Sequence, residues 1–460
     1  MNFSLPTFWL SLFAGLTFIW LLTRLIRQNL PHRWLLAALS LTLLGLESAL
    51  TLAVFLSVFS VTYLALRWLA RQKKLPPLFI ALVVVLQFLP LLFFKYGNFL
   101  TSQVFSEAPD LLRDLIIPVG LSFYTFQMVG LLVDTVKDHL PLPSFLDCLN
   151  FASFFPQIVA GPIERRSDLL PQMERFRFQL DWDSIERGVR WVILGLFMKL
   201  TLAENIAAES AAVTIDPGNP FLVWLECLFF SFRIYNDFAG YSFIAYGIAT
   251  ALGVKLTLNF LSPYWTTNFR DFWRHWHVSL SQWFRDYLYI PLGGNRGSSF
   301  KVYRNLMITM LLGGLWHGAG WTFIVWGGLH GIILCIYRAL GDKFTLPKLW
   351  GRVVATFFFF HLICLTWLFF RADSFDQAWE MLRLILTQQE MTSLSRYGLG
   401  MIAFFCTPLM VYEVWLNKSG SLRRLETVRW GWRAAAYCYI VFMLIVFPPP
   451  VFGQFIYFQF

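Results

Sequence analysis

The sequence predicts an all-α polytopic membrane protein, and three features of its composition indicate that class. Hydrophobic residues fill 57% of the 460 positions and charged residues only 14%, whereas soluble domains average about 25% charged residues. The mean hydropathy is +0.58. Trp and Tyr, which gather where a membrane meets water, occur 20 and 16 times. We therefore expect many membrane spans and no separate soluble domain.

Charge and cysteine content exclude several other classes of protein. The net charge of +10 does not indicate a nucleic-acid partner, because an excess of Lys and Arg in a polytopic protein marks its cytoplasmic loops. None of the six cysteines forms a CxxC pair, and each lies in or beside an apolar run, so we expect buried thiols and no metal site. The apolar stretch 7–22 lacks the flanks of a signal peptide, which favours a retained first span.

Apolar runs separated by polar stretches predict about 12 membrane spans. The run Trp34–Leu66 has basic clusters on both sides, so we interpret it as a hairpin of two short spans. In chain order the runs are Thr7–Leu22, Trp34–Leu66, Pro76–Phe94, Leu115–Val133, Trp191–Leu202, Phe221–Tyr235, Leu306–Gly318, Trp321–Ile336, Val353–Phe370, Gly400–Leu416 and Ala434–Phe447.

The apolar stretch Phe145–Ile163 does not predict a regular span, because Pro156, Gly161 and Pro162 interrupt it. We expect a re-entrant or interfacial element, which is stable at membrane depth only where protein surrounds it. The charged stretch Glu164–Arg190 that follows predicts an amphipathic cytoplasmic segment.

Five ionisable residues fall inside or beside predicted spans, where each costs about 2.5–3.5 kcal/mol at the bilayer centre and therefore needs a partner or a function. Glu226, Arg233 and Asp237 are spaced i, i+7 and i+11, which places them on one helical face. Arg233 and Asp237 can pair at i, i+4. The structural interpretation is an internal ion pair that orients the helix, and the functional one is a polar cavity. Lys199 and Glu413 can also link helices through ion pairs or hydrogen bonds, but the sequence does not identify their partners.

The stretch Phe272–Tyr287 predicts one continuous helix with three stripes of side chains. Its apolar stripe, at a 3–4 spacing, includes Trp273 and Trp276. A second stripe aligns His277 with three polar side chains, which are Arg274, Ser281 and Arg285. A helix with one apolar stripe in three should lie at the cytoplasmic interface or line an aqueous vestibule. Its plain interpretation is an Arg-rich surface helix, and its functional interpretation is a site for an anionic ligand.

A second candidate histidine, His317, follows an apolar run in the sequence GGLWHGAGW. The glycines around it allow close helix packing or the close approach of a ligand to the backbone. A lone histidine at membrane depth can be a satisfied core residue, but this setting favours a functional one. An imidazole with a pKa near 6.5 can take a proton from a hydroxyl. We interpret His330, in WGGLHG, as structural.

Together these segments resemble the membrane-bound O-acyltransferase family, and within it the branch of the membrane subunits of bacterial alginate O-acetyltransferases. The segment RDYLYIPLGGNR together with LWHG is highly specific. The matching segments cover most of the chain, in the order PVGLSFYTFQ (118–127), SFFPQIVAGPIERRSDLLPQ (153–172), GLFMKLTLAEN (195–205), IYNDFAGYSFIAYGIATALG (234–253), NFRDFWRHWHVSLSQWFRDYLYIPLGGNR (268–296), LLGGLWHGAGWTFIVWGGLHG (311–331) and FIYFQF (455–460).

The resemblance implies a ring of about 12 transmembrane helices, with re-entrant and interfacial helices around a central tunnel. It implies a single domain over 1–460, with N-terminal helices at 1–115, a catalytic core at 116–340 and C-terminal helices at 341–460. The family's near-invariant histidine corresponds to His317, and its second catalytic-site position to His277. The chain departs from the family's usual acidic pattern at Asn236 and Phe243 but keeps Asp237.

The same resemblance implies acyl transfer from a cytoplasmic donor, most simply acetyl-CoA, with no cofactor that stays bound. His317 would act as general base on the acceptor hydroxyl, and His277 would orient the donor or stabilise the oxyanion. Basic side chains favour phosphate groups, and the residues expected to bind the donor are Arg270, Arg274, Ser281, Arg285, Arg296, Lys301, Arg304, Trp273, Trp276 and Trp316.

The implied setting is the bacterial inner membrane, with an extracytoplasmic polysaccharide as acceptor and a relay acetyltransferase as partner. The acceptor polymer stays open between alginate, cellulose, peptidoglycan and another glycan, and the acyl chain length also stays open. Alternatives are D-alanyl transfer for teichoic acid modification and a transporter or scaffold of exopolysaccharide export. The transporter is motivated by the charges at membrane depth, but the chain shows no inverted repeat.

Overall fold

A computed structural model describes residues 2–26, 30–72, 77–97, 99, 115–213, 220–341, 349–387, 391–419, 428–453 and 455–458. The chain divides into two compact units, one of residues 1–192 with 242–257 and one of residues 193–241 with 258–460. The described part is helical and contains no β-strand beyond an isolated bridge. The all-α class is confirmed, and the division of the chain at 115 and 340 stays a prediction.

The helices of the first unit follow the apolar runs of the N-terminal part. They are α1 (Pro6–Leu25), α2 (His32–Glu47), α3 (Ala49–Leu69), α4 (Pro77–Leu91), α5 (Leu121–Lys137), α6 (Phe145–Ser153) and α7 (Arg166–Glu174). The run Trp34–Leu66 breaks at Ser48, whose extended backbone caps α3 and whose hydroxyl accepts the N–H of Thr51 at 3.0 Å. The run therefore forms two helices, as predicted, but only α3 is long and apolar enough to cross a membrane.

Two long helices continue the chain, α8 (Trp182–Leu196) and α10 (Pro220–Ala251), with α9 (Glu204–Val213) between them. A π-helical stretch, Phe197–Ala203, links α8 to α9. The second unit continues with α11 (Phe269–His275), α12 (Val278–Phe284), α13 (Ser299–His317), α14 (Trp321–Leu340), α15 (Leu349–Arg371), α16 (Phe375–Thr387), α17 (Ser393–Ser419) and α18 (Trp430–Val446).

Seven helices in the described part of the chain are long and apolar enough to cross a membrane. This number is lower than the predicted 12 because several apolar runs form helices below 18 residues, such as α2 and α18, and because charges interrupt α10. The chain is a multi-pass membrane protein in fold. The seven helices are Pro6–Leu25, Ala49–Leu69, Leu78–Tyr96, Trp182–Ser210, Trp321–Leu340, Trp350–Arg371 and Ser393–Leu416.

The interrupted stretch after α5 is a short helix followed by turns, and it is buried in the first unit. After α6 ends at Ser153, Gln157 lies in a turn and donates to the side-chain oxygen of Gln127 at 2.8 Å. Gln127 donates in turn to the carbonyl of Phe151 at 2.7 Å. The non-helical backbone is thus supported by buried side chains of the protein, as the prediction of a re-entrant element requires.

Glu164 directly follows this stretch, and only 3% of the residue is exposed. Its Oε1 accepts the backbone N–H of Thr257 at 2.6 Å, and the Thr257 hydroxyl lies 3.3 Å from Oε2. Burial raises the pKa of Glu164 from 4.5 to about 7 despite these hydrogen bonds. The folded chain therefore binds a proton at mildly acidic pH that the unfolded chain has already released.

Glu164→Gln should stabilise the fold more at alkaline than at acidic pH. Below about pH 4.5 the carboxyl is neutral in both states, and above about pH 7 the wild type carries a buried charge that Gln lacks. The free energy of unfolding of the variant should therefore rise relative to that of the wild type between these limits. The rise should reach about 3 kcal/mol, at 1.36 kcal/mol per pKa unit. Unfolding midpoints of both proteins in detergent, measured from pH 4 to pH 9, check this. A difference that stays constant with pH would contradict it.

The charged residues at membrane depth pair differently from the predicted scheme. Within the described residues no ion pair joins Arg233 to Asp237, so that predicted pair is wrong. Asp237 instead contacts the ammonium of Lys199 at 2.5 Å, because the π-helical stretch presents Lys199 to α10. Glu226 lies 3.4 Å from Arg371 of α15. The sequence could not give these partners, since they come from separate helices.

The partner of Glu413 also comes from another part of the second unit. Its Oε1 accepts the hydroxyl of Tyr235, and its Oε2 accepts the indole N–H of Trp265 at 3.1 Å. Glu413 is therefore a buried hydrogen-bonding centre between α10, α17 and the short 3₁₀ helix Pro263–Trp265.

Candidate active site

A glycine-rich helical hairpin, made of α13 and α14, carries His317 at its turn. A Cβ at Gly314 would collide with the carbonyl of Phe323, and a Cβ at Gly327 would collide with the carbonyl of Met310. Only glycine at these two positions lets the helices approach so closely. The predicted role of the glycines in close packing is confirmed, and His317 is the last residue of α13.

The imidazole of His317 is buried among aromatic rings, with 2% of the residue exposed. Its ring centroid lies 4.9 Å from Trp316, 5.0 Å from Trp326, 5.3 Å from Phe370 and 5.4 Å from Tyr457. Rings on several sides fix the orientation of the imidazole and exclude bulk water. The site is thus an aromatic cage around a buried imidazole.

The second candidate, His277, stands at a break in the predicted helix. The structure ends α11 at His275, extends the backbone at Trp276, and turns it into the left-handed region at His277, with φ 43° and ψ 57°. The prediction of one continuous helix over Phe272–Tyr287 is therefore wrong. A new helix, α12, begins after His277 and passes into a π-helical turn, Arg285–Tyr289.

The break is held by a segment that precedes α11 in sequence. The amide of Val278 donates to the carbonyl of Asn259 at 3.0 Å, and the amide of Ser279 donates to the Asn259 side chain at 3.2 Å. Phe260 and Trp276 form an antiparallel bridge. Pairing with this segment outweighs the intrinsic cost of a left-handed non-glycine residue.

The two histidines meet in one cluster of five rings in the second unit. Trp316 contacts both, with its centroid 5.7 Å from His277 and 4.9 Å from His317. On the other side, Phe238 lies 4.7 Å from His277 and 4.4 Å from Tyr457, which in turn lies 5.4 Å from His317. We call these residues the histidine cluster. His277 and His317 therefore share Trp316 as a neighbour, and the prediction that they face one tunnel stays a prediction.

Burial sets the protonation state of the groups outside the spans. His277 is fully buried, and desolvation lowers its pKa to about 3, so its imidazole is neutral at physiological pH. Burial raises the pKa of Tyr457 well above its usual value, with Asp237 adding to the effect. A neutral imidazole can donate one hydrogen bond and accept another, and a neutral phenol can donate.

His330 lies deeper in the hairpin and has a structural setting. Its Nε2 lies 3.0 Å from the hydroxyl of Thr366, and its ring packs 4.5 Å from Trp326 and 5.2 Å from Trp273. The side chain ties α14 to α15, in agreement with the structural interpretation of this histidine.

The basic residues expected to bind the donor lie apart from the histidine cluster. Arg274 has 68% of its side chain exposed and contacts Asp271 at 3.3 Å, and Arg285 contacts Asp286 at 2.7 Å. Because the chain breaks at His277, the predicted stripe that joined it to these arginines does not exist. All of the basic members of the set are exposed, namely Arg270, Arg274, Arg285, Arg296, Lys301 and Arg304.

Three of these exposed cations surround the loop PLGGNR, whose glycines have positive φ values of 114° at Gly293 and 54° at Gly294. Asn305 of α13 donates to the carbonyl of Gly294 at 3.2 Å and fixes the loop. Arg304 donates to the carbonyl of Leu292 at 3.4 Å. The ordered loop therefore presents Arg296, Lys301 and Arg304 from one short region.

The aromatic and hydroxyl members of the donor set divide between the cluster and the core. Trp316 belongs to the histidine cluster, whereas Trp276 is fully buried and packs on Phe272 and Trp367. Trp273 packs on Trp326 and His330. Ser281 donates to the carbonyl of Trp276 at 3.2 Å. Trp316 packs its ring on both candidate catalytic histidines, and the backbone N–H of Ser281 donates to the carbonyl of His277 at 3.0 Å.

Sequence reasoning missed Phe238, Tyr457 and Asn259 as parts of the site. The resemblance includes the C-terminal FIYFQF but assigns it no role, and its last two residues lie outside the described part. The signal for Tyr457 was a cluster of aromatics in a segment too short for a span. Among the described residues no group of three His, Cys, Asp or Glu side chains could hold a metal ion.

Comparison with known proteins finds one family and several relatives. The model of the membrane-bound O-acyltransferase family matches residues 13–372. A peptidoglycan O-acetyltransferase of Helicobacter pylori is 38% identical over 328 residues, which cover 63% of this chain and 61% of the relative. The chain thus spans about three fifths of that relative's length.

Two further relatives differ in the reaction that their descriptions name. A protein of Azotobacter vinelandii described as a "probable alginate O-acetylase" is 36% identical over 351 residues, which cover 74% of this chain and 68% of the relative. A teichoic acid D-alanyltransferase of Streptococcus thermophilus is 29% identical over 291 residues, or 55% of this chain and 68% of the relative.

Proposed function

The chain belongs to the membrane-bound O-acyltransferase family, and from this premise we propose that it transfers an acyl group to a hydroxyl of an extracytoplasmic polysaccharide or of a relay protein. The observation that carries the proposal is the histidine cluster, in which Trp316 contacts both His277 and His317 in a buried setting. The identity of 36–38% to two O-acetyltransferases supports acetyl as the group.

The chemistry is assigned to His317 as general base. Its imidazole accepts the proton of the acceptor hydroxyl as the oxygen attacks the thioester carbonyl, which forms the new C–O bond. The C–S bond then breaks, and the proton passes from the imidazole to the leaving thiolate. Neutral His277 donates a hydrogen bond to the oxyanion that develops between these steps.

The donor is proposed to be acetyl-CoA, delivered from the cytoplasmic side. Its phosphates are assigned to the cations around the PLGGNR loop, because exposed Arg and Lys side chains near one ordered backbone loop suit phosphate recognition. The multi-pass fold supports a membrane location, and the bacterial inner membrane is the setting proposed here.

The direct test supplies acetyl-CoA, labelled in its acetyl group, to the outside of vesicles that contain the purified chain in one orientation. Label should appear on a hydroxyl acceptor enclosed in the vesicles, with an equal amount of free CoA outside. Empty vesicles control for leakage. Hydrolysis of acetyl-CoA without label on any acceptor, or no turnover with several glycan acceptors, would reject the proposal.

Replacing Arg296 and Lys301 together by Gln should raise the KM for acetyl-CoA about tenfold with little change in kcat, because each lost charge-assisted contact weakens ground-state binding. A CoA thioester without its 3′-phosphate is a second probe. If these residues bind that phosphate, its removal should affect the wild type more than the variant.

The matched control for this prediction is Arg383→Gln, which removes an exposed arginine paired with Glu380 elsewhere in the second unit. Its KM should equal that of the wild type. The two substitutions and the removal of the 3′-phosphate each weaken donor binding, as measured by KM. If the two free-energy losses simply add when both changes are made, these cations do not contact the 3′-phosphate.

D-alanyl transfer remains the second candidate because the chain is 29% identical to a teichoic acid D-alanyltransferase. Running the vesicle assay with a D-alanyl thioester beside the acetyl thioester decides between them. The transporter alternative has less support, since three of the four charges that motivate it, Lys199, Asp237 and Glu226, each contact an opposite charge inside the protein.

A further inference from the structure

Three charges of the second unit meet in its interior beside the histidine cluster. The ammonium of Lys199 lies 2.5 Å from Glu204 and 2.5 Å from Asp237, with 2% of the Lys199 side chain exposed. We call these three residues the ionic triad. Burying three charges costs desolvation free energy, and removing one member leaves a buried charge without its opposite charge.

The triad is connected to the C-terminal segment, defined here as residues 447–453 and 455–458, by two of its three members. Oδ2 of Asp237 accepts the backbone N–H of Ile456 at 2.7 Å. A Cβ at Gly453 would lie 2.6 Å from Oε2 of Glu204, so the backbone at Gly453 passes close to that carboxylate. Next to Glu204, Asn205 donates to the carbonyl of Phe447 at 3.2 Å.

The same segment then enters the histidine cluster. On either side of Ile456, Phe455 packs 4.7 Å from Tyr241 and Tyr457 packs 5.4 Å from His317. Phe455 and Tyr457 both contact Phe238, the residue that follows Asp237. The hydrogen bond to Asp237 therefore lies between the two rings that the segment contributes.

We propose that Lys199, Asp237 and Glu204 are positioning residues that dock the C-terminal segment in the histidine cluster, so that acyl transfer depends on a triad that does not itself touch the reacting atoms. Lys199 orients both carboxylates, Asp237 fixes Ile456, and Glu204 borders Gly453. The dependence of transfer rests on the proposed function, whereas the docking of the segment does not.

The alternative is an ion pair that only stabilises the helices. That role predicts that triad variants lose global stability without selective release of the segment. The proposed role predicts selective release, because a hydrogen bond to a carboxylate is stronger than one to a neutral acceptor, and because its loss frees one short segment while the helices stay packed.

Hydrogen exchange of the purified full chain in nanodiscs tests the docking step. In Lys199→Met and Asp237→Leu, amides of the segment around Ile456 should exchange about tenfold faster or more, while α13 and α14 keep their protection. Asp237→Asn is nearly isosteric and keeps an acceptor oxygen, so its exchange should be intermediate. It also covers the case in which the harsher variants do not fold.

Two control variants separate the possible causes. Glu226→Gln removes another buried carboxylate of α10 that contacts Arg371 and not the segment, and it should leave exchange near Ile456 unchanged. His317→Ala should stop transfer but keeps the hydrogen bond between Ile456 and Asp237, so exchange near Ile456 should rise less than in Asp237→Leu. Transfer retained by His317→Ala would defeat the proposed function while the exchange result stands.

Kinetics complete the test. Triad variants should lower kcat about tenfold or more while the KM for the acyl donor stays within twofold, because the segment is held near the reacting groups and away from the exposed donor cations. The proposal would be overturned if amides near Ile456 exchanged at the wild-type rate in both Asp237→Asn and Lys199→Met. Faster exchange with unchanged kcat would overturn it equally.

Discussion

His317→Ala should abolish acyl transfer while the protein still folds and reaches the membrane. General-base catalysis contributes about 10²–10⁴-fold, and the structure places no second imidazole in the same contacts with Trp316, Phe370 and Tyr457 among the described residues. Loss of the ring leaves a cavity in the cage, so a modest fall in thermal stability should accompany the loss of activity. Label transfer in the vesicle assay, normalised to folded protein, measures the effect.

The matched control is His330→Gln, because His330 is also a buried histidine of the α13–α14 hairpin. Gln keeps a hydrogen-bonding group for Thr366, which His330 contacts at 3.0 Å. The variant should lose stability but retain transfer with an unchanged KM. Wild-type transfer by His317→Ala would eliminate the general-base assignment.

Substitutions at His277 should separate a backbone effect from a chemical one. His277 has φ 43° and ψ 57°, a left-handed conformation that Asn and Gly adopt more readily than branched residues. His277→Asn should therefore fold like the wild type and lose about 10²–10³-fold in kcat, the usual effect of removing an oxyanion donor. His277→Val should also lose stability and shift the start of α12.

The pH profile tests the chemical role of His277 independently. Burial holds its pKa at about 3, so the side chain does not change charge between pH 5 and pH 9. The profile of kcat/KM over that range should have the same shape in His277→Asn as in the wild type, at a lower height. Disappearance of a titrating limb in the variant would show that His277, and not His317, is the base.

Local patterns in the sequence predicted local structure well. The glycines around His317 predicted a close helical hairpin, and the collision of a Cβ at Gly314 with Phe323 gives the reason. Pro156 and Gly161 predicted an interrupted, buried element, which Gln127 and Gln157 support. These features depend on residues near one another in the chain, so a single sequence contains the information.

Long-range contacts set the features that the sequence did not predict. The spacing of Trp273 and Trp276 is that of a regular helix, but pairing with Asn259 forces the break at His277. Asp237 has an arginine one turn away and still pairs with Lys199 of another element. A helical period describes one element and contains no information on what packs against it.

The hydrogen bond between Ile456 and Asp237 joins residues 219 positions apart, which has a consequence for biogenesis. Both histidines are synthesised and inserted long before residue 456 leaves the ribosome, so the nascent protein passes through a stage in which one side of the cluster is open. Closure of the cluster then waits until the segment that contains Ile456 has been synthesised and reaches Asp237.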